Sequence, residues 1–252
     1  MIPGDLSVGA IAAIAAAIVF AAVLRGFTGF GFALAAVPLV SLAISPRQAV
    51  PMVILQQLLL GLVDGVRAWR DCDRRSVLQL AAGSVIGVPA GIVALDLMPG
   101  TVTRMAIAFI VLAAIVLLWK PRRLPFTPGT RTAASAGFVA GLFNGLAAMP
   151  GPPAIAYYLL TDTDPRKVRA SLMAFFLATA VIAAPGTWAA GLLDLDTTIL
   201  ALAGLPLVLG GGYVGNRLFL RYGAGSYRPI ALLTLGAAAI AILLREAVRL
   251  IA

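Results

Sequence analysis

Arg25-Gly26-Phe27-Thr28-Gly29-Phe30-Gly31 interrupts a hydrophobic run that extends from Leu6 to Ile44 and is too long for one membrane helix. Three glycines within six residues permit positive φ and close backbone approach, so one helix should end here and another begin. An arginine and a hydroxyl stand beside them, in a chain where polar side chains are scarce. A second break follows at Gly145-Leu146-Ala147-Ala148-Met149-Pro150-Gly151-Pro152-Pro153. Interrupted hydrophobic segments at corresponding places in two halves of a chain point to the substrate site of a membrane transporter.

The composition around these breaks supports a membrane-embedded protein. Of 252 residues, 61% are hydrophobic and only 12% charged, with a mean hydropathy of +1.01. A soluble domain would carry roughly 25% charged residues. The chain has room for about eight to ten segments of roughly 20 residues and for little outside the bilayer. Its formal charge of +9 needs no nucleic-acid partner, because membrane proteins concentrate Lys and Arg in cytoplasmic loops. Histidine is absent, which removes His-metal sites, Ser-His and Cys-His catalytic pairs and a His proton relay. The single Cys72 lies among Arg70, Asp71, Asp73 and Arg74 and reads as a loop thiol. No metal or cofactor is expected. The first apolar run has no basic leader and reads as a retained membrane segment.

Apolar segments run approximately Leu6–Leu24, Phe30–Ile44, Ala49–Val66, Val77–Leu97 and Val102–Trp119. After a basic, proline-rich stretch come Thr132–Ala148, Pro152–Leu160, Val168–Leu192, Thr197–Leu220 and Tyr227–Ile251. The pattern divides the chain into a membrane repeat at 1–119, a cytoplasmic linker at 120–131 and a second membrane repeat at 132–252. Ser45-Pro46-Arg47 resembles Asp164-Pro165-Arg166, and Gly87-Val88-Pro89-Ala90-Gly91 resembles Gly211-Gly212-Tyr213-Val214-Gly215. With the loops near 67–75, 120–131, 161–169 and 217–228 in the cytoplasm, that side holds fourteen of the nineteen Lys and Arg residues. Both termini then lie outside and the two halves enter from opposite sides. The expected fold is therefore an all-α polytopic membrane protein built as two inverted repeats of about five segments. Phe30–Ile44 and Pro152–Leu160 are too short to cross a ~30 Å hydrocarbon core comfortably. Each is either the return arm of a re-entrant hairpin or a tilted span.

Arg25 through Leu34, with Val37-Pro38-Leu39 and Ala49-Val50-Pro51, resembles the first-half signature of the TauE/SafE sulfite-exporter family. Gly141-Leu142-Phe143-Asn144-Gly145, Gly151-Pro152-Pro153, Tyr157 and Arg169-Ala170 resemble its second half. The resemblance covers essentially the whole chain. It implies a multi-pass carrier of the bacterial cytoplasmic (inner) membrane for sulfite, a sulfonate such as sulfoacetate or isethionate, or a related carboxylate. The family's pattern carries an acidic residue in the third segment, where this chain has Leu55-Gln56-Gln57-Leu58, with Asp64 further on.

An oxyanion carrier needs donors without a resident metal. Helix N-termini offer free N–H groups and a positive dipole end, so the turns around Thr28, Gly29 and Gly31 and around Gly151 are candidate binding elements. Arg25 either clamps the anion with its planar fork or snorkels to the interface. Its burial costs about 2.5–3.5 kcal/mol and calls for a partner such as the substrate, Asp64 or carbonyls. Gln56 and Gln57 are adjacent, so a helix directs only one of them into a central cavity. Asn144 reads as the second-half counterpart of Thr28, and Tyr157 as a phenol donor or an interface anchor. Asp64, three residues before Arg67, reads by default as half of a local ion pair.

The expected function is secondary transport of a small oxyanion by alternating access, with the bilayer and the anion as partners. The chain has no G-x-x-x-x-G-K-[ST] motif, and the scarcity of acid–base groups argues against an enzyme. An anion channel and a membrane assembly factor remain as alternatives. The coupling ion (proton or sodium), the direction of transport and homo-oligomerisation are left open.

Overall fold

The computed structural model describes residues 7–28, 31–119, 129–161 and 164–222, with residues 236, 240 and 244 beyond them. Across these the chain is helical. In order come α1 (Val8–Thr28), α2 (Phe32–Val40), α3 (Pro46–Ala68), α4 (Arg74–Leu97), α5 (Gly100–Trp119), α6 (Thr130–Ala147), α7 (Gly151–Leu159), α8 (Pro165–Ala189) and α9 (Leu195–Tyr222). Most of the basic linker and the expected last segment, Tyr227–Ile251, lie outside the described residues.

Helices are the natural outcome for such a sequence, since apolar segments in lipid must satisfy every backbone N–H and C=O internally. Six of these helices hold a stretch long and apolar enough to cross a membrane. Their outward faces carry Ile86, Phe109, Val116 and Val181, all exposed, which suits contact with acyl chains. The helix starts are written in the sequence. Pro46 and Pro165 open α3 and α8 at a position whose N–H has no intrahelical partner. The carboxylate of Asp164 accepts from the Arg166 amide at 2.7 Å, and that of Asp194 from the Thr197 amide at 2.8 Å.

Two pairs of helices approach backbone to backbone. On α4, Gly83, Gly87 and Gly91 face α6, whose Gly137, Gly141 and Gly145 face back. The i, i+4 spacing puts each set on one stripe, and the register (Gly83 by Ala134, Gly87 by Phe138, Gly91 by Leu142) makes the two helices parallel. Ser84 Oγ donates across this seam to the Gly137 carbonyl at 2.9 Å. Similarly, α1 meets α9 at Gly26, Gly211 and Gly215, again in parallel register. By contrast, α3 and α8 run antiparallel, with Gly61 beside Leu177 and Gly65 beside Leu177 and Met173.

The short helices turn back on their long partners. Gly31, with φ 93°, introduces α2 in a left-handed conformation that only glycine adopts freely. α6 ends in an αL cap, in which the left-handed Ala148 (φ 55°) donates to the Asn144 carbonyl and Met149 to that of Phe143. Each nine-residue helix spans only about 13 Å. α2 finishes near the start of α5, where Arg104 Nε donates to the Ser41 carbonyl at 3.2 Å. α7 finishes near the start of α4, where the Tyr158 hydroxyl meets Ser76 Oγ at 2.7 Å. α6 also begins at that end, since Gln79 Nε2 donates to Thr130 Oγ1. The α6–α7 pair therefore enters the bundle and returns to the same end.

Candidate functional site

The two breaks meet. A cavity of about 60 Å³ is bounded by Gly31–Leu34 at the start of α2 and by Ala148–Gly151 at the start of α7. Its walls come from Arg25 of α1, from Gln57, Leu60, Gly61, Asp64 and Gly65 of α3, and from Met173, Phe176 and Leu177 of α8. Gln57 lies eleven residues from either end of α3, and Leu177 lies twelve from either end of α8. The lining runs from these midpoints to Gly65, three residues before the end of α3, and to Met173, eight residues after the start of α8, so the cavity lies between the middle of the bundle and its basic end. It has room for a few water molecules, or for an oxyanion of comparable size.

Polar groups reach this cavity from one side. Arg25 Nη2 donates to Asp64 Oδ2 at 2.7 Å, with the two side chains 19% and 35% exposed. Gln57 Nε2 donates to the Ala148 carbonyl at 2.9 Å, tying the middle of α3 to the turn before α7. The N-terminal turn of α2 adds amide donors, whereas in α7 Pro152 and Pro153 carry no N–H and leave Gly151 as the amide at the cavity; both helices direct the positive end of a dipole there. Opposite them, Met149, Met173, Phe176 and Leu177 supply an apolar wall. A single-charged oxyanion suits this lining: a guanidinium, an amide and backbone N–H groups to bind its oxygens, and hydrocarbon against the remainder.

A second, wider space of about 650 Å³ opens beyond it towards the basic end of the bundle. Arg67, Arg166, Lys167 and Arg169 surround it, together with Asp64, Asp71 and Asp164. Asp64 and Met173 line both spaces, so they stand at the passage between the cavity and this vestibule. Cys72 lies nearby in the α3–α4 turn, where its buried Sγ contacts the Trp69 carbonyl. Burial pushes its thiol pKa up, which suits an inert structural thiol.

The expected site residues divide accordingly. Arg25, Gly31, Gln57 and Gly151 come together at the cavity. The Thr28 side chain and Gly29 lie outside the described residues. Gln56 points away, fully buried against α9, with Nε2 donating to the Ala201 carbonyl at 3.2 Å and Oε1 unpaired. Asn144 is buried in the α6–α8 contact and donates to the Thr179 carbonyl at 3.2 Å. Tyr157 is buried edge-on against Tyr158, with ring centroids 5.2 Å apart, away from the cavity wall. The default pairing of Asp64 with Arg67 gives way to a bond with Arg25, 39 positions earlier. Sequence reading also missed the apolar wall, whose Met and Phe residues have no local signature distinguishing them from lipid-facing ones. Among the described residues no group of His, Cys, Asp or Glu is placed to hold a metal.

A family model described as Sulfite exporter TauE/SafE matches residues 14–242. No curated protein and no solved structure matches the chain significantly.

Proposed function

Since the chain belongs to the TauE/SafE sulfite exporter family, whose members are membrane transporters, we propose that it is a secondary carrier of a small sulfur or organic oxyanion, sulfite, a sulfonate or a carboxylate, that works by alternating access. The observation that carries this reading is the convergence of both chain breaks, with Arg25 and Gln57, on one cavity between α3 and α8 inside the bundle. Broken helices that meet at mid-depth let amide ends face an anion without a lipid-exposed backbone. The anion would accept from Arg25, from Gln57, from the first amides of α2 and from the Gly151 N–H that precedes Pro152 and Pro153 in α7. It would enter from the vestibule, whose four basic side chains raise the local anion concentration. A channel would not need the close fit between two helix ends and a paired arginine.

The carrier would be built from two inverted repeats, residues 1–119 and 132–252, joined by a cytoplasmic linker at 120–131. A constant spacing supports this: Phe32 to Gly151 and Pro46 to Pro165 are both separated by 119 positions. Helix direction agrees, because α1 and α9 end where α4, α6 and α8 begin. That shared end carries the basic residues and would face the cytoplasm. At the same spacing Asn144 corresponds to Arg25 and not to Thr28. Gln57 corresponds to Phe176 and Asp64 to Ala183, so the first repeat provides the polar half of the site and the second its apolar half.

The test is thermal stability of the purified protein against sulfite, sulfate, sulfoacetate, isethionate, taurine and short carboxylates. An anion at 100 times its dissociation constant adds about 2.7 kcal/mol to the folded state. The expected result is stabilisation by one class of anion, lost in Arg25→Ala. Equal stabilisation of Arg25→Ala would remove the site from this cavity.

A further inference from the structure

Asp64 is an unusual neighbour for an anion site, because its carboxylate faces the same cavity and would repel the ligand. It also holds one arm, Nη2, of the Arg25 guanidinium that the ligand needs. We propose that Asp64 is the coupling acid of the carrier: the incoming anion replaces it on Arg25, and Asp64 takes up one proton as it is released.

This proposal rests on the anion-carrier reading and extends it to the driving ion. The charge balance leads to it. In the empty state Arg25 and Asp64 neutralise each other at 2.7 Å inside a narrow cavity. A monoanion bound to Arg25 would leave Asp64 without its counter-ion and give the cavity one net negative charge. A proton on an Asp64 oxygen restores neutrality. The guanidinium keeps its charge throughout and exchanges one anionic partner for another. The proton has a route, since Asp64 also lines the water-accessible vestibule. The other charged groups around Asp64 are Arg67 on its own helix, Arg166, Lys167 and Arg169 on α8, and Asp71 and Asp164 at the rim. These sit in the wide vestibule, whereas among the described residues Asp64 and Arg25 alone contribute charge to the narrow cavity.

The position of Asp64 gives it a second role. At the passage between the two spaces, its bond to Arg25 closes the cavity floor when no anion is present. Release of that bond opens the way in and at the same moment provides the counter-charge. Anion and proton therefore bind together, and a proton gradient can drive the anion.

The experiment measures isethionate affinity of the purified protein by titration calorimetry as a function of pH. Isethionate has no group titrating near neutrality, so any pH dependence belongs to the protein. Wherever binding takes up a proton, the affinity should fall about tenfold for each unit by which pH rises, the signature of one proton taken up per anion. Calorimetry in buffers of different ionisation heat should return one proton per bound anion. In Asp64→Asn, affinity should become independent of pH; reconstituted in liposomes, this variant should exchange isethionate across the bilayer but fail to accumulate it against a gradient when a pH difference is applied. Saturable binding whose affinity does not change with pH in the wild-type protein would overturn the coupling role and leave the anion site standing. Loss of saturable binding to every sulfonate and carboxylate tested would overturn both.

Discussion

Two glycine-to-alanine substitutions separate the site from the scaffold. At Gly151, an added Cβ would stand 3.7 Å from Phe176 Cζ and 3.9 Å from Ile155 Cδ1, both ordinary contacts. The methyl group therefore strains nothing, and the better helix propensity of alanine should stabilise α7 by about 0.5 kcal/mol. Gly151 and Phe176 both line the cavity, however, so the methyl group stands at its wall and occupies space in a void of only about 60 Å³. Anion affinity should fall at least about tenfold, or 1.4 kcal/mol. At Gly141, the added Cβ would lie 2.8 Å from Ser84 Cα, 2.9 Å from Val88 N and 3.0 Å from Ser84 O. These are backbone atoms, and α4 and α6 must part to admit it. Overpacking of that kind costs about 1–3 kcal/mol, against a propensity gain of about 1 kcal/mol, so the net effect is destabilising by about 1 kcal/mol. Thermal unfolding in detergent with and without saturating anion measures both quantities in one experiment. Gly151→Ala should melt at or above the wild-type temperature and lose its ligand-induced shift. Gly141→Ala should melt lower and keep it. If Gly151→Ala binds the anion as tightly as wild type, the start of α7 does not line the substrate site.

The adjacent glutamines should behave differently: Gln57→Leu removes a cavity amide and should weaken anion binding about tenfold or more, whereas Gln56→Leu deletes a buried group with an unpaired oxygen and should change stability by less than about 1 kcal/mol with binding intact, as titration of both variants would show. Ala148→Gly relieves a left-handed conformation that costs an L-residue about 1–2 kcal/mol, against about 0.5–1 kcal/mol of added chain entropy, so its melting temperature should rise by a few degrees at most. Asp194→Ala removes the cap of α9 and should cost about 1 kcal/mol. Hydrogen bonding from Thr197 holds the Asp194 carboxyl below the usual carboxylate range, so this contribution is present above the unfolded-state pKa and fades as pH falls through the lower folded-state value. Solvent exposure keeps that pH effect small, and unfolding followed from neutral to acidic pH would detect it as a narrowing difference between wild type and Asp194→Ala.

Local chemistry made most of the fold legible. Gly31, Ala148–Gly151, Pro46 and Pro165 mark helix ends because they change what the backbone can do at one position, and hydropathy shows what lies between. Partners distant in the chain were harder to see. Asp64 read by default as bound to Arg67, because three residues on a helix are visible in sequence; burial of Arg25 also named Asp64 as a candidate partner, but only the α1–α3 contact decides between the two. The register of α3 decides between Gln56 and Gln57, and a rotation of about 100° cannot be fixed by a segment that is apolar nearly all round. Asn144 does carry a mark in sequence, since it follows Arg25 by the same 119 positions that separate Pro46 from Pro165. The Met and Phe residues of the cavity wall carry no such mark, since lipid-facing and cavity-facing side chains have the same chemistry.

The ion pair between Arg25 and Asp64 has an electrical consequence. A charge that crosses the whole bilayer exchanges about 2.3 kcal/mol with each 100 mV of potential. Two opposite charges held 2.7 Å apart at nearly the same depth experience forces that almost cancel. The unloaded protein should therefore change conformation at a rate indifferent to voltage. If a bound anion is matched by one proton, the loaded protein is equally indifferent. The membrane potential would then neither hinder nor drive either half of the cycle, and the proton concentration difference alone would set how far the anion can be concentrated.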